Sequence, residues 1–297
     1  MIQLPNGRSV EFIAASGALA FDGRGWPWEW PVRWAGMLDP HVFTVTIKTL
    51  TRHPRRGNLR WWKPWGCVRL LSHQSAVNAV GLTNPGIEAW LRRSWPVIVR
   101  NGYRVIVSIM PHTPVEAQEM VQMLNALDLV AVEINASCPN TGDDLEANTD
   151  AIVATCTAAA RVSRHPLIVK VGMTNHYCAL AQRLIGVVAA IHAINTIPWH
   201  VLYRDRPSPL AHVGGGGISG ARIHPYAVTV VRELVRQETH PIIGGGGIMT
   251  IDDVARFAEA GAHAFSIGTL FLRTPWAPTR LVQTWRSTAR EKGVVIA

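Results

Sequence analysis

RVIVSIMPHTPVEAQEMVQMLNALDLVAVEINASCPNTG (104–142) contains two apolar runs, RVIVSIM and LVAVEINA, separated by the amphipathic stretch TPVEAQEMVQMLNALD. Both runs are apolar on two faces, as strands buried inside a parallel sheet must be, and the stretch between them reads as a crossover helix. The alternation extends in both directions. FIAAS at 12, FTVTIKT at 43, LIVKVG at 167, AIHAINT at 190, PIIGGGGI at 241 and AFSIGT at 264 are further strand candidates. PGIEAWLRRSWPVIVRN and HPYAVTVVRELVRQ read as further crossover helices. Eight such units predict an α/β fold closed into a single (β/α)8 TIM barrel. A doubly wound open sheet is the competing architecture, but it more usually carries its glycine-rich turn after the first strand. No composition shift or Pro/Gly/Ser linker divides the chain, so one domain is expected over 1–297.

Composition narrows the functional classes. With 297 residues and 48% hydrophobic content the chain has a large core to bury. Its apolar runs are broken well short of membrane-spanning length, and MIQLPNGRSV lacks an apolar signal core, so no membrane span and a cytoplasmic location are expected. The four cysteines (67, 138, 156 and 178) form no CxxC pair, which argues against a structural metal site or a disulfide framework. The formal charge of +9 is spread along the chain, with only short clusters such as RHPRR at 52–56. Charge alone is therefore weak support for nucleic-acid binding.

In a barrel the working groups lie where strands run into their βα loops. Those positions are Ser16 and Gly17, Lys48 and Thr49, Ser108, Asn135 with Cys138, Lys170, Asn195 with Thr196, Gly246 with Gly247, and Gly268 with Thr269. Glycine clusters at VGGGGISG (213–220), IIGGGGI (242–248) and SIGTLF (266–271) offer backbone N–H groups at strand-to-helix turns; one cluster alone is better explained by a tight turn, but two at successive strand ends, with Thr269 as a further donor, favour a seat for a phosphate. Lys48 and Lys170 stand in apolar strands, where an unpaired ammonium is costly. Each should face an anion, either an internal carboxylate such as Glu133 or a cofactor carrying delocalised negative charge, such as a reduced flavin. Asn78, Asn135, Asn140 and Asn195 arrive from separate loops and suit a small planar ligand edged with N–H and C=O groups, although asparagine is also a common turn residue. Cys138, in a Ser-Cys-Pro-Asn turn, has the chemistry of a general base once a positive field draws off its proton. Cys156 and Cys178 sit in helical patterns and read as small buried hydrophobes. Two tryptophan-rich stretches, GRGWPWEWPVRW (23–34) and LRWWKPWGC (59–67), hold seven of the twelve tryptophans and are expected to cover the barrel mouth or fill a dimer interface.

The segments IKTLTRHPRRGN (47–58), NAVGLTNPG (78–86), EINASCPNTG (133–142), INT (194–196), GGISGARIHP (216–225), IIGGGGI and IGT together resemble the dihydroorotate dehydrogenases. The resemblance runs in order along nearly the whole chain. It implies FMN as cofactor and oxidation of dihydroorotate to orotate in pyrimidine biosynthesis. Carried over by position, it makes Cys138 the base that deprotonates the ring methylene while the neighbouring carbon gives a hydride to the flavin. Lys48 then touches both FMN and substrate. Asn78, Ala79, Val80, Gly81, Leu82, Asn135, Asn140, Asn195 and Thr196 bind the pyrimidine and its carboxylate. Ser16, Gly17, Thr49, Ser108, Asn135, Lys170, Ile194, Gly220, Gly246, Gly247, Gly268 and Thr269 hold FMN. Cysteine rather than serine in the loop points to the soluble class 1 enzymes, which are expected to be homodimeric. INT and the ISG of GGISG are closer to the form that works with an iron–sulfur flavoprotein electron-transfer subunit.

Three features depart from that pattern: Ser108 where the partner-dependent form often has asparagine, the tryptophan-rich loops, and the connection IPWHVLYRDRPSPLAHV (197–213). The alternatives are a related flavin barrel acting on dihydropyrimidines, disfavoured by CPN in the cysteine loop, and a non-catalytic barrel binding a phosphate ligand or nucleic acid, supported only by the charge.

Overall fold

The computed structural model describes residues 1–60, 62–137 and 145–291. Eight parallel strands close into a barrel in chain order: β1 (Phe12–Ala14), β2 (Thr44–Thr46), β3 (Val105–Ile109), β4 (Ala131–Asn135), β5 (Leu167–Val171), β6 (Ala190–Ala193), β7 (Ile242–Gly245) and β8 (Ala264–Ile267). β8 pairs with β1 and closes the ring. All eight expected strands are present, and the barrel is the expected fold.

Helices follow the strands as crossovers. Pro114–Leu124 starts at Thr113, whose hydroxyl accepts from the Glu116 amide, and buries Ala117, Met120, Val121 and Leu124 against the barrel. Spacing of three and four puts those side chains on one face. The stretch 85–101, expected as one helix, is two: Ile87–Arg93 and Trp95–Asn101. Pro96 explains the break, because its ring clashes with a continuing turn and it brings no N–H. No helix among the described residues is long and apolar enough to cross a membrane.

The barrel interior changes character along its axis. Ile13, Ile106, Ala131, Ile168, Ala190, Ile243 and Ala264 form a buried apolar layer, sealed from below by Ile2, Leu4 and Val10 of the hairpin Ile2–Gln3/Ser9–Val10. Two residues further along the same strands, and therefore on the same face, stand Ser108, Glu133, Lys170, His192, Gly245 and Ser266. The lower half of the barrel is hydrocarbon and the upper half is polar.

The loops after β2 and β6 leave from opposite sides of the mouth and meet above it. Val68–Leu71, Ser75–Asn78, Gly217–Gly220 and Ile197–Pro198 form a four-stranded antiparallel sheet, with Gly217 opposite Asn78 and Gly220 opposite Ser75. The VGGGGISG cluster therefore belongs to this covering sheet rather than to a barrel strand end. Three of its glycines, Gly216, Gly217 and Gly220, are required by contact: a Cβ at Gly216 would lie 2.4 Å from the Asn78 carbonyl oxygen.

Candidate active site

Between the polar layer and the covering sheet lies a cavity of about 680 Å³. Ser16, Gly17, Lys48, Thr49, Asn78 to Leu82, Asn135, Lys170, Ile194, Asn195, Thr196, Gly246, Gly247, Gly268 and Thr269 all reach its wall. Most of the residues singled out from the sequence thus converge on one space. Ser108 and Gly220 do not line it. Ser108 is fully buried one shell out and shares a 3.0 Å hydrogen bond with the Thr49 hydroxyl. Gly220 packs behind Gly247, where a Cβ on Gly247 would come 2.6 Å from the Gly220 carbonyl oxygen. Cys138 and Asn140 lie outside the described residues.

The wall is held by hydrogen bonds that link separate strands. Thr49 bonds Ser16 (3.0 Å) and receives Asn135 Nδ2 (3.4 Å), tying the ends of β1, β2 and β4 together. Ser137, the residue before Cys138, donates its hydroxyl to Asn135 Oδ1 at 2.6 Å and accepts from Asn195 Nδ2. The residue that precedes Cys138 in the chain is thus fixed between two cavity amides. Segment 78–82 is pinned by Asn58 Nδ2 on the Ala79 carbonyl (2.8 Å) and by Asn84 Nδ2 on the Leu82 carbonyl (2.7 Å).

Two lysines bring positive charge. Burial pushes the Lys48 ammonium down to about 8, and among the described residues it has only the Phe21 ring, 6.0 Å away, as an aromatic neighbour. Lys170 is also pushed down by burial, partly offset by Glu133. An ammonium this dry, with no hydrogen-bond partner among the described residues, is stabilised when an anionic ligand enters.

Sequence reasoning missed several lining groups. His192 reaches the cavity floor, and its Nδ1 lies 2.7 Å from Glu133 Oε2, both side chains 1% exposed. Burial would raise the Glu133 carboxyl, but the hydrogen bond with His192 and the positive charge of Lys170 hold it below the usual carboxylate range. The signal for His192 was a lone histidine inside an apolar run, two residues before Ile194; the sequence presents Glu133 only as a possible partner of the lysines. Trp26, Trp28 and Trp65 also line the cavity, so the tryptophan-rich loops reach the mouth. Trp26 stacks on Trp28 with centroids 5.3 Å apart and donates its indole N–H to the Gly17 carbonyl at 2.8 Å. Glu29, buried beside them, accepts the Trp26 amide at 2.7 Å, and burial drives its carboxyl up to about 8.

The residues fit a flavin phosphate. Gly247, at φ +89°, allows the backbone to approach closely, and the Gly247 and Gly268 amides donate to no backbone carbonyl among the described residues. Such free amides beside a helix start are a phosphate seat. Asp253 fixes this turn by accepting the Met249 and Thr250 amides at 3.0 and 2.9 Å. The buried Ser266 hydroxyl, on the cavity floor, has no partner among the described residues and is free to meet a ligand.

A barrel mouth built in this way defines a class: enzymes that hold a phosphate-bearing cofactor against the strand ends and carry out redox chemistry on a small planar substrate beside it. The dihydroorotate dehydrogenase family model matches residues 34–287, and the chain belongs to that family. It is 33% identical over 256 residues (84% of this chain and 81% of the relative) to a protein from Desulforudis audaxviator named dihydroorotate dehydrogenase B (NAD(+)), catalytic subunit. A protein of the same name from Pelobacter propionicus is 34% identical over 261 residues, 85% of this chain and 83% of the relative. The crystal structure of the Eimeria tenella enzyme in complex with ferulenol superposes with a TM-score of 0.71 over 95% of this chain and 82% of that one; at 20% identity it shows the fold alone. The family is one of FMN-dependent oxidoreductases that oxidise dihydroorotate in pyrimidine biosynthesis, as the sequence resemblance implied.

Proposed function

We propose that this cavity oxidises dihydroorotate to orotate with Cys138 as general base. The reading is carried by the convergence of Lys48, Asn78, Asn135, Lys170 and Asn195 on one space, with Ser137, the residue before Cys138, hydrogen-bonded to two of them. FMN, when bound, supplies the acceptor for the hydride that leaves the carboxylate-bearing carbon. The amides of Gly246, Gly247, Gly268 and Thr269 would hold its phosphate. Lys170 and Ser266 offer donors at the floor, and Ser16 and Thr49 hold the rim on which Lys48 stands.

The remaining residues act on the substrate. Asn78, Asn135, Asn140, Asn195 and Thr196 give the pyrimidine its donors and acceptors without adding charge, so they orient it without competing with Lys48 for the carboxylate. The Lys48 ammonium also lowers the cost of a thiolate at Cys138, which then takes the methylene proton. The covering sheet and Trp26, Trp28 and Trp65 exclude water from this step, which strengthens each electrostatic contact inside. Ser108 and Gly220 act from behind, through Thr49 and Gly247.

The test is direct. Purified protein should carry a flavin absorption band that dihydroorotate bleaches under anaerobic conditions, while dihydrouracil leaves it unchanged. A colourless protein that takes up no FMN would falsify the cofactor assignment. Bleaching by dihydrouracil in preference to dihydroorotate would transfer the chain to the dihydropyrimidine chemistry.

For the oxidant, we infer a separate iron–sulfur flavoprotein subunit acting on a homodimer of this chain in the cytoplasm. Support comes from the relatives, which are named catalytic subunits of an NAD(+)-dependent enzyme. Co-purification of a flavin- and iron-bearing subunit checks it; efficient turnover with fumarate by the isolated chain would replace it with the fumarate-using form.

A further inference from the structure

The Glu133–His192 pair has no part in that chemistry, yet His192 lines the cavity floor and Glu133 is hydrogen-bonded to it from outside the wall. Both side chains are 1% exposed, and placing a carboxylate and an imidazole so deep is costly unless each is matched. Among the described residues, the titratable groups facing His192 are Glu133 from β4 and Lys170 from β5; β7 contributes Ile243 and Gly245, and β8 contributes Ser266, none of them ionisable in this range. With Nδ1–H donated to the ionised Glu133, the imidazole keeps its other nitrogen as a bare acceptor. That nitrogen lies on the Gly245 side, where an added Cβ would come 3.4 Å from it, and the ring lines the cavity. A carboxylate behind an imidazole whose far nitrogen is unprotonated is the arrangement that makes histidine a proton acceptor.

The charge balance of the reaction gives this acceptor a task. A hydride carries two electrons and one proton, so its arrival adds one negative charge to the cofactor site, while the proton released by the substrate goes to Cys138. The floor before reduction holds Lys170 positive and Glu133 negative, with the imidazole neutral because burial and the Lys170 charge push its protonation down more than Glu133 pulls it up. Added negative charge above the floor reverses that balance in favour of the protonated imidazole.

We propose that Glu133 and His192 form a proton reservoir beneath the cofactor: His192 takes one proton from solvent when the site is reduced and returns it on reoxidation. No bond to carbon is made, and the only change is the N–H formed at His192. The proposal rests on the FMN assignment and goes beyond it, because it sets the proton count of the reduction rather than its substrate.

The experiment uses the FMN-loaded protein, reduced stepwise by light without substrate, with the midpoint potential followed from about pH 5 to pH 8, the range over which a histidine titrates. One extra proton per two electrons changes the equilibrium constant tenfold per pH unit, about 30 mV. Wild type should therefore be steeper than His192→Gln by about 30 mV per pH unit over that range. Glu133→Gln, which keeps the imidazole but removes its ionised partner, should move the steep region to lower pH. Equal slopes for wild type and His192→Gln overturn the proposal, as does an unmoved steep region in Glu133→Gln. Should His192→Gln fail to fold, proton uptake by wild type in weakly buffered solution still decides: two protons per two electrons support the reservoir, given the Glu133→Gln shift, and one overturns it. A wild-type protein that holds no FMN contradicts the cofactor assignment instead, which keeps the two failures apart.

Discussion

The lower and upper halves of the barrel interior are made by the same strands, and the side chains that fill them are only two residues apart. Ile106 stands below Ser108, Ala131 below Glu133, Ile168 below Lys170 and Ala190 below His192. The lower layer buries hydrocarbon on all sides and stabilises the closed sheet; the upper layer places a lysine, a carboxylate and an imidazole where water is scarce. A polar layer of this kind is destabilising on its own. It is tolerable here because the apolar layer beneath, plugged by the N-terminal hairpin, supplies cohesion that the mouth lacks. Stability and chemistry are thus separated along one axis.

That separation is open to challenge by substitution. The largest effect is expected at Cys138→Ser: flavin reduction by dihydroorotate slows by roughly a hundredfold to ten-thousandfold, with orotate affinity and thermal midpoint nearly unchanged. A parallel loss of orotate binding would remove the residue from the proton-transfer step. In the lower layer, Ile168→Ala should cost about 2–5 kcal/mol of unfolding free energy, read from denaturant titration, while the refolded protein still reduces its flavin. If that variant is stable but inactive, the two layers are not separable.

Smaller effects sharpen the boundary. Gly247→Ala forces a side chain into a φ of +89° and against the Gly220 carbonyl; FMN affinity should fall roughly tenfold or more, matching strain of about 1–3 kcal/mol. Lys48 carries its charge below about 8 and loses it above. The rate of flavin reduction should therefore fall as pH rises through that value, reaching about a tenfold loss one unit higher, and Lys48→Ala should show no such limb in a stopped-flow pH series. Trp26→Phe keeps an aromatic ring but removes the N–H donated to Gly17, and loss of that bond should lower stability by about 0.5–1.5 kcal/mol with little change in rate. A large rate effect there would extend the chemistry to the tryptophan-rich rim.

Much of this arrangement was legible in the sequence. Strands of a parallel barrel are buried on both faces and stand out as apolar runs, so all eight could be read directly. Polar residues at the ends of such runs have few structural uses, which is why Lys48, Asn135, Lys170 and Asn195 could be placed at the mouth. Glu133 and His192 were harder. A single polar residue within an apolar run shows neither which face it occupies nor what it opposes until the register across β4, β5 and β6 is known. Ser108 was read as lining the site because it ends a strand, but Thr49 stands between it and the cavity. The break of 85–101 into two helices followed from Pro96, a local cause present in the sequence but outweighed there by the apolar pattern.

The sequence by itself determined the barrel, its order of strands and the kinds of side chain at its rim, because burial on both faces and strand-end position leave a local imprint. Only the tertiary structure decided that the loops after β2 and β6 pair above the mouth, with Ser75–Asn78 laid against Gly217–Gly220. The same is true of the Glu133–His192 pair beneath the cavity. These contacts join segments far apart in the chain, and their energy depends on two surfaces meeting, which no single stretch of residues encodes.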